Sequence, residues 1–221
     1  MGDKGIVIEF DFTAIDGAEL LFETAKRFLR TLDRIGLDKA KEARYLAGHG
    51  YQEGLAGLFA VAKTKKTAQK AARDLKNAFG DAVTAAVPDS MGQAFKNFVK
   101  ALLDKGVAVV VMTRADIEAV KPAFDAAFGA SVVLYQEKSD CYGCAQWDSW
   151  LRACHVAGLS SRTTLAVSGS GFGVKSALAA KMGAVAVVND HVAYQDFGGA
   201  NTVVSELSGK TAKSVLRVMG L

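Results

Sequence analysis

The sequence predicts an α/β fold: a doubly wound, Rossmann-like parallel sheet core with a helical cap domain inserted after the first strand. Three observations predict it. Short, solidly apolar runs at Ile6–Ile8, Val107–Met112, Val132–Tyr135, Thr164–Val167 and Ala184–Val188 have strand length and alternate with stretches of helical periodicity. Such alternation marks a parallel sheet covered on both faces. From Ala18 onward a long stretch is nearly all helical. Polar residues collect where the apolar runs end, at Glu9, Asp11, Thr113, Lys138, Ser168 and Ser170, and sheets of this kind bind ligands at the carboxyl ends of their strands.

The elements follow in order. Ile6–Ile8 reads as a buried strand. Ala18–Gly36 reads as a helix, because Leu20, Leu21, Ala25, Phe28, Leu29 and Leu32 recur at helical spacing and Gly36 can end it. Asp38–Leu46 and Tyr51–Ala62 are further helices, separated by Gly48-His49-Gly50, and Lys65–Phe79 is another, closed by Gly80. The core resumes with a helix over Gly92–Lys105, the strand Val107–Met112 ending in Thr113, and a helix over Ala115–Phe128. A strand at Val132–Tyr135 precedes Lys138, and Trp147–Ala157 is helical. Thr164–Val167 is a strand ending in "SGSGFG", before a helix at Val174–Met182. Ala184–Val188 is a strand, and Val203–Leu207 starts a last segment. The expected division is a core of residues 1–17 and 86–221, with residues 18–85 as the cap.

Composition narrows the function classes. The chain has 221 residues, half of them hydrophobic, with only two prolines, which suits an extensive core and argues against long disordered linkers. No apolar run reaches the roughly 18–20 residues of a membrane span, and no leader pattern opens the sequence. Three cysteines do not make a disulfide framework, so a cytoplasmic setting is expected. The net charge of +4 owes much to Lys63–Lys76, read as a solvated helix face. No aromatic residue interleaves those lysines, which argues against nucleic acid. A protein partner on that face stays open.

The first strand runs into "IVIEFDFTAIDG" (Ile6–Gly17), the second ends in "VVVMTRAD" around Thr113, Lys138 follows the third, and the fourth leads into "LAVSGSGFGVKSALAAKMGAVAV". This set resembles the haloacid dehalogenase superfamily, specifically its phosphoglycolate phosphatase and β-phosphoglucomutase-like branch, over nearly the whole chain. The resemblance implies a nucleophilic acid at position 9, an acid/base at Asp11, and phosphoryl contacts from Thr113 and Lys138. It also implies a magnesium ion held near Glu9, the Asp11 carbonyl and an acid of the fourth motif. Candidate phosphate ligands are Thr113, Arg114, Lys138, Ser168, Gly169 and Ser170. His49, in the cap turn, is the candidate specificity residue, and the expected ligand is a small phosphorylated or carboxylated molecule.

The departures from that pattern bear on activity. The nucleophile position holds Glu9 rather than aspartate, and the fourth motif reads Ser168-Gly169-Ser170 where the family places acids. A glutamate oxygen is displaced by about 1 Å, an error that can cost about a hundredfold in in-line attack. Magnesium takes its protein ligands mainly from carboxylates, and Ser and Gly supply none. Asp190 is the one acid in reach of replacing them, as a weak third metal ligand beside Glu9 and Asp11. Without the metal, Lys138 stands alone against two carboxylates that repel a phosphate. The resemblance therefore implies an impaired or inactive phosphatase scaffold kept for ligand binding or regulation. An active phosphatase using Glu9 and a metal-independent dehalogenase-like hydrolase are the alternatives. A Glu9–Lys138 ion pair filling the site would mark it as inactive.

Other candidates are weaker. About half a dozen residues, roughly Ser139–Ala145, look added to the pattern, and they include Cys141-Tyr-Gly-Cys144. With Cys154 and His155 these suggest zinc, but neighbours on a helix diverge by about 100°. The pair also suggests redox chemistry, although a redox Cys-x-x-Cys more often opens a helix after a strand. The glycine-rich Ser168–Gly173 run fits no nucleotide-binding pattern and reads as a tight strand-to-helix turn or a vestigial anion cradle.

Overall fold

The structure is a computed structural model that describes residues 4–221. The chain opens with strand β1 (Gly5–Glu9) and a single turn α1 (Phe10–Thr13). A helical segment follows: α2 (Gly17–Asp33), α3 (Lys39–Lys41), a π-helical turn at Glu42–Leu46, α4 (Tyr51–Ala62) and α5 (Ala68–Ser90). Then come α6 (Gln93–Leu103), β2 (Ala108–Thr113), α7 (Ile117–Phe128), β3 (Val132–Gln136), α8 (Trp147–Val156), β4 (Thr164–Ser168), α9 (Gly171–Ala179), β5 (Gly183–Val187), β6 (Thr202–Val204) and α10 (Gly209–Val218). The strands form one parallel sheet in the order β3-β2-β1-β4-β5-β6. The direction of winding reverses between β1 and β4, which opens a crevice at their carboxyl ends.

The two faces of the sheet follow from the period-two alternation of its residues. Ile6 and Ile8 join Val109, Val111 and Val167 in a buried cluster with Phe95, Phe98, Val99 and Leu102 of α6. Val7, Val110, Met112, Ala166, Ala184 and Ala186 face the other way, against Trp150 and Ala153 of α8 and Val174 and Ala177 of α9. Alanines on that second face let the helices approach closely. The helical segment adds Leu21, Leu29, Leu46, Leu55, Leu75 and Phe79 to the first cluster, so its apolar faces are continuous with the core beneath it.

Two helix ends and one helical stretch differ from the sequence expectation. Helix α2 stops before Gly36, because Arg34 takes the left-handed conformation at φ 53° and the Ile35 amide donates back to the Leu29 carbonyl at 3.2 Å. That turn buries Ile35, and a buried side chain just past a left-handed cap is a stable ending. Helix α5 does not stop at Gly80 but runs unbroken through Ala85 to Ser90, burying Val83 and Val87. At Gly80 a Cβ would lie 3.2 Å from the Arg114 carbonyl oxygen, so the glycine serves close approach rather than termination. The stretch Asp38–Leu46 is a short helix that widens into the π turn. Among the described residues no helix is long and apolar enough to cross a membrane.

Candidate functional site at the carboxyl ends of the central strands

Three neighbouring strands end in polar residues: β1 in Glu9, β2 in Thr113 and β4 in Ser168. Asp11 lies on the turn α1, which folds over those ends. Glu9, Asp11, Thr113 and Ser168 have no exposed surface. The Thr113 hydroxyl donates to Asp11 Oδ1 at 2.5 Å, and the Arg114 amide donates to Asp11 Oδ2 at 2.8 Å. The Ser168 hydroxyl donates to Glu9 Oε2 at 2.6 Å. Glu9 Oε1 has no hydrogen-bond partner.

Arg114 occupies the centre of this cluster. Its Nη1 lies 3.4 Å from Asp11 Oδ2 and 3.8 Å from Glu9 Oε1, with the side chain 5% exposed. Its Nη2 donates to the Cys144 carbonyl at 2.8 Å, and the guanidinium lies 5.0 Å from the centre of the Phe12 ring. The planar fork of arginine suits this role, since it can satisfy a carboxylate and a carbonyl at once.

Burial sets the electrostatics. It pushes the Glu9 carboxyl up to about 7, against the opposing pull of Arg114 and the Ser168 hydrogen bond, while Asp11 and Glu137 push it further up. Burial also raises Asp11, opposed by Arg114 and Thr113. For Arg114 burial works against the charge, but the nearby Glu137, Asp11 and Glu9 outweigh it and hold the guanidinium protonated.

A pH dependence follows. The folded protein holds the Glu9 proton more tightly than the unfolded chain does. The contribution of Glu9 to stability is therefore fully present below the unfolded value of 4.5 and is lost as pH rises through about 7, on the order of 3 kcal/mol. In Glu9→Gln this loss between pH 4.5 and 7 is expected to flatten, as read from chemical denaturation at a series of pH values.

Comparison with solved structures decides the fold. CbbY from Rhodobacter sphaeroides in complex with phosphate aligns with a TM-score of 0.69 at 16% identity, covering 99% of this chain and 100% of that one. A CbbY variant in complex with xylulose-(1,5)bisphosphate aligns at 0.66 and 15% identity, covering 93% and 95% of the two chains. A putative β-phosphoglucomutase from Bacteroides vulgatus aligns at 0.70 and 14% identity, covering 99% and 90%. A HAD hydrolase from Entamoeba histolytica aligns at 0.68 and 14% identity, covering 99% and 100%. The chain has the HAD hydrolase fold. Neither a family model nor a curated protein matches the sequence.

Within this HAD fold the predicted site residues divide. Glu9, Asp11, Thr113, Arg114 and Ser168 come together as described. Lys138 does not join them; it is exposed. The amide of Glu137 extends the strand ladder to the Thr113 carbonyl at 2.8 Å, so period-two alternation turns Glu137 inward and Lys138 outward. Glu137 is buried and accepts from the Ser139 amide at 2.6 Å and the Ser149 hydroxyl at 3.0 Å. The cation beside the two acids is therefore Arg114, where the sequence pointed to Lys138.

Ser170 spends its hydroxyl as the cap of α9, accepting from the Gly173 amide at 3.0 Å. Gly169 is packed against the Phe12 backbone. The His49 side chain is exposed, with Nδ1 3.8 Å from Glu53, while its backbone is tied in, the amide donating to the Leu46 carbonyl at 3.0 Å and the carbonyl accepting from the Tyr142 amide at 2.9 Å. Asp190 is exposed.

Magnesium, the ion that the resemblance implies, does not fit this donor set. Glu9 accepts a hydroxyl hydrogen bond on one oxygen and faces the Arg114 guanidinium with the other, so a cation already supplies positive charge there, and Ser168, Gly169 and Ser170 offer no carboxylate to join the Asp11 carbonyl. Among the described residues no three His, Cys, Asp or Glu side chains cluster to hold a metal, and Asp190 completes no such group. Zinc fails for the same reason: Cys154 is buried 4.0 Å from Met182 Sδ while His155 is exposed. Cys141 and Cys144 instead form a disulfide, which the odd cysteine count had not suggested.

One network was missed in the sequence. His191, buried in the loop after β5, places Nδ1 2.7 Å from Glu19 Oε2 and Nε2 3.0 Å from Glu42 Oε2. The Tyr142 hydroxyl donates to Glu42 Oε1 at 2.9 Å. The Glu42 hydrogen bond raises the imidazole above its ordinary value, burial opposes it and the Glu19 bond adds to the rise. Its partners lie 172 and 149 residues away along the chain, beyond any local signal.

Proposed function

We propose that this chain is a phosphatase-type scaffold that does not hydrolyse phosphomonoesters by a magnesium-dependent route and serves as a binding or regulatory protein for a small anionic molecule, phosphorylated or carboxylated. The observation that carries this reading is Arg114, whose guanidinium lies within ion-pair distance of both Glu9 and Asp11. A nucleophile needs its carboxylate free to approach phosphorus, and an acid/base needs an oxygen open to the leaving group. Asp11 has neither oxygen free, and Arg114 stands before Glu9.

The ligand class is supported by the surroundings of Arg114. A groove of about 540 Å³ runs between α5 and the ends of β2 and β3, with Lys76, Arg114 and Lys138 among its lining residues. Asp81, Asp116 and Glu137 line the same groove, so a fitting ligand carries hydrogen-bond donors as well as an anionic group. CbbY in its solved complexes holds phosphate and a sugar bisphosphate.

One observation favours the alternative, an active enzyme using Glu9: Glu9 Oε1 lacks a hydrogen-bond partner. The two readings separate in a p-nitrophenyl phosphate assay with and without magnesium, beside melting temperatures in both conditions. The proposal expects background hydrolysis and no magnesium-dependent stabilisation. Turnover at roughly 1 s⁻¹ or faster that disappears in Glu9→Gln would overturn it.

A further inference from the structure

The loop between β3 and α8 carries a device that the proposed function does not use. Its backbone clasps the turn that enters α4: the Tyr51 amide donates to the Asp140 carbonyl at 2.8 Å, the Tyr142 amide to His49 at 2.9 Å and the Gly48 amide to Tyr142 at 3.1 Å. Gly50 and Cys141 form an antiparallel bridge. Three residues on, the Cys144 carbonyl accepts from Arg114. The disulfide between Cys141 and Cys144, with Cα atoms 5.8 Å apart, links these two attachments. Gly143 makes the tight turn, since its φ of 77° is one that a side chain strains. Cys141, Tyr142 and Cys144 are buried.

We propose that Cys141–Cys144 is a thiol–disulfide switch that sets how firmly the cap turn and Arg114 are held. Where a compartment keeps thiols reduced, protein disulfides are mostly transient or redox-sensing. The co-reactant is a small or protein dithiol. Its thiolate attacks one cysteine sulfur, the S–S bond breaks and a mixed disulfide forms. The second thiol of the reductant then displaces the protein sulfur. The reductant leaves as a disulfide, its two electrons and two protons now residing on the two cysteine thiols. Because both sulfurs are buried, exchange requires the loop to lift off the turn. Once reduced, the loop recloses without its cross-link, so the Cys141 bridge and the Cys144 carbonyl part from one another more readily. Cys154 lies outside this exchange, on α8 beside Met182.

The test uses the full chain, oxidised or treated with dithiothreitol. Thiol titration in denaturant is expected to find one thiol per chain before reduction and three after, since Cys154 is the only free cysteine among the described residues. Limited proteolysis is expected to cut the Gly48–Tyr51 turn about tenfold faster in the reduced protein, cleavage tracking the opened population. Cys141→Ser/Cys144→Ser is expected to match the reduced protein and to ignore the reductant. Cys154→Ala is expected to keep the full response and provides the same comparison if the double variant does not fold. Three thiols in the oxidised protein, or equal cleavage of the turn in both states, would overturn the proposal. None of these measurements depends on hydrolysis.

Discussion

Arg114→Met is expected to lower folding stability by about 3–5 kcal/mol, the usual cost of removing one partner from a buried ion pair. The reason is charge without compensation. Glu9, Asp11 and Glu137 are all buried, and Arg114 is the cation within ion-pair distance of the first two. Methionine fills a similar volume, so the loss reports electrostatics more than packing. It also removes the hydrogen bond to the Cys144 carbonyl and the contact with the Phe12 ring. Urea unfolding at pH 8, where Glu9 is ionised, measures the effect. The same substitution in a Glu9→Gln/Asp11→Asn background is expected to recover most of the loss, because neutral amides leave less charge to compensate. An equal loss in both backgrounds would show that Arg114 acts through packing.

Gly169→Ala is expected to cost about 3 kcal/mol or more, at the upper end for inserted volume. A Cβ at this position would lie 1.8 Å from the Phe12 carbonyl oxygen and 2.6 Å from its carbon. Both are backbone atoms, so no rotamer change relieves the contact. Phe12 is itself buried and follows Asp11 on the turn α1, so retreat would drag Asp11 away from Thr113. Gly36→Ala is the control. Its Cβ would meet nothing within 4 Å, and it is expected to change stability by no more than about 1 kcal/mol in either direction. Parallel denaturation of the two variants checks the pair of expectations. The same contact means that an acid placed at position 169 would meet the Phe12 carbonyl first.

Much of the fold was legible because its signals are local. The solid apolar runs became β1 to β5, and polar residues do collect at their carboxyl ends. The misplaced helix ends show where local signals stop. Gly36 and Gly80 both read as terminators, yet burial of Ile35 ends one helix earlier, and the approach of the Arg114 backbone explains the other glycine. The site divides in the same way. Glu9 at the end of the first apolar run and the Ser168-Gly169-Ser170 run after the fourth could be picked out without coordinates. That Ser168 donates to Glu9 required the strands β1 and β4 to be laid side by side.

The order of strands and helices, the clustering of acids and hydroxyls at strand ends, and the lack of an acid in Ser168-Gly169-Ser170 could all be read before any coordinates. Hydrophobic periodicity and residue identity are properties of the chain alone. Which cation meets those acids, whether the two cysteines pair, and that His191 reaches Glu19 and Glu42 came from the three-dimensional arrangement. Each of these depends on distances between residues far apart in the chain or on which way a side chain turns. In an extended strand end a shift of one residue reverses that direction. That is why buried Glu137 and Arg114 flank Asp11 and Glu9, while Lys138, the residue first expected there, faces solvent.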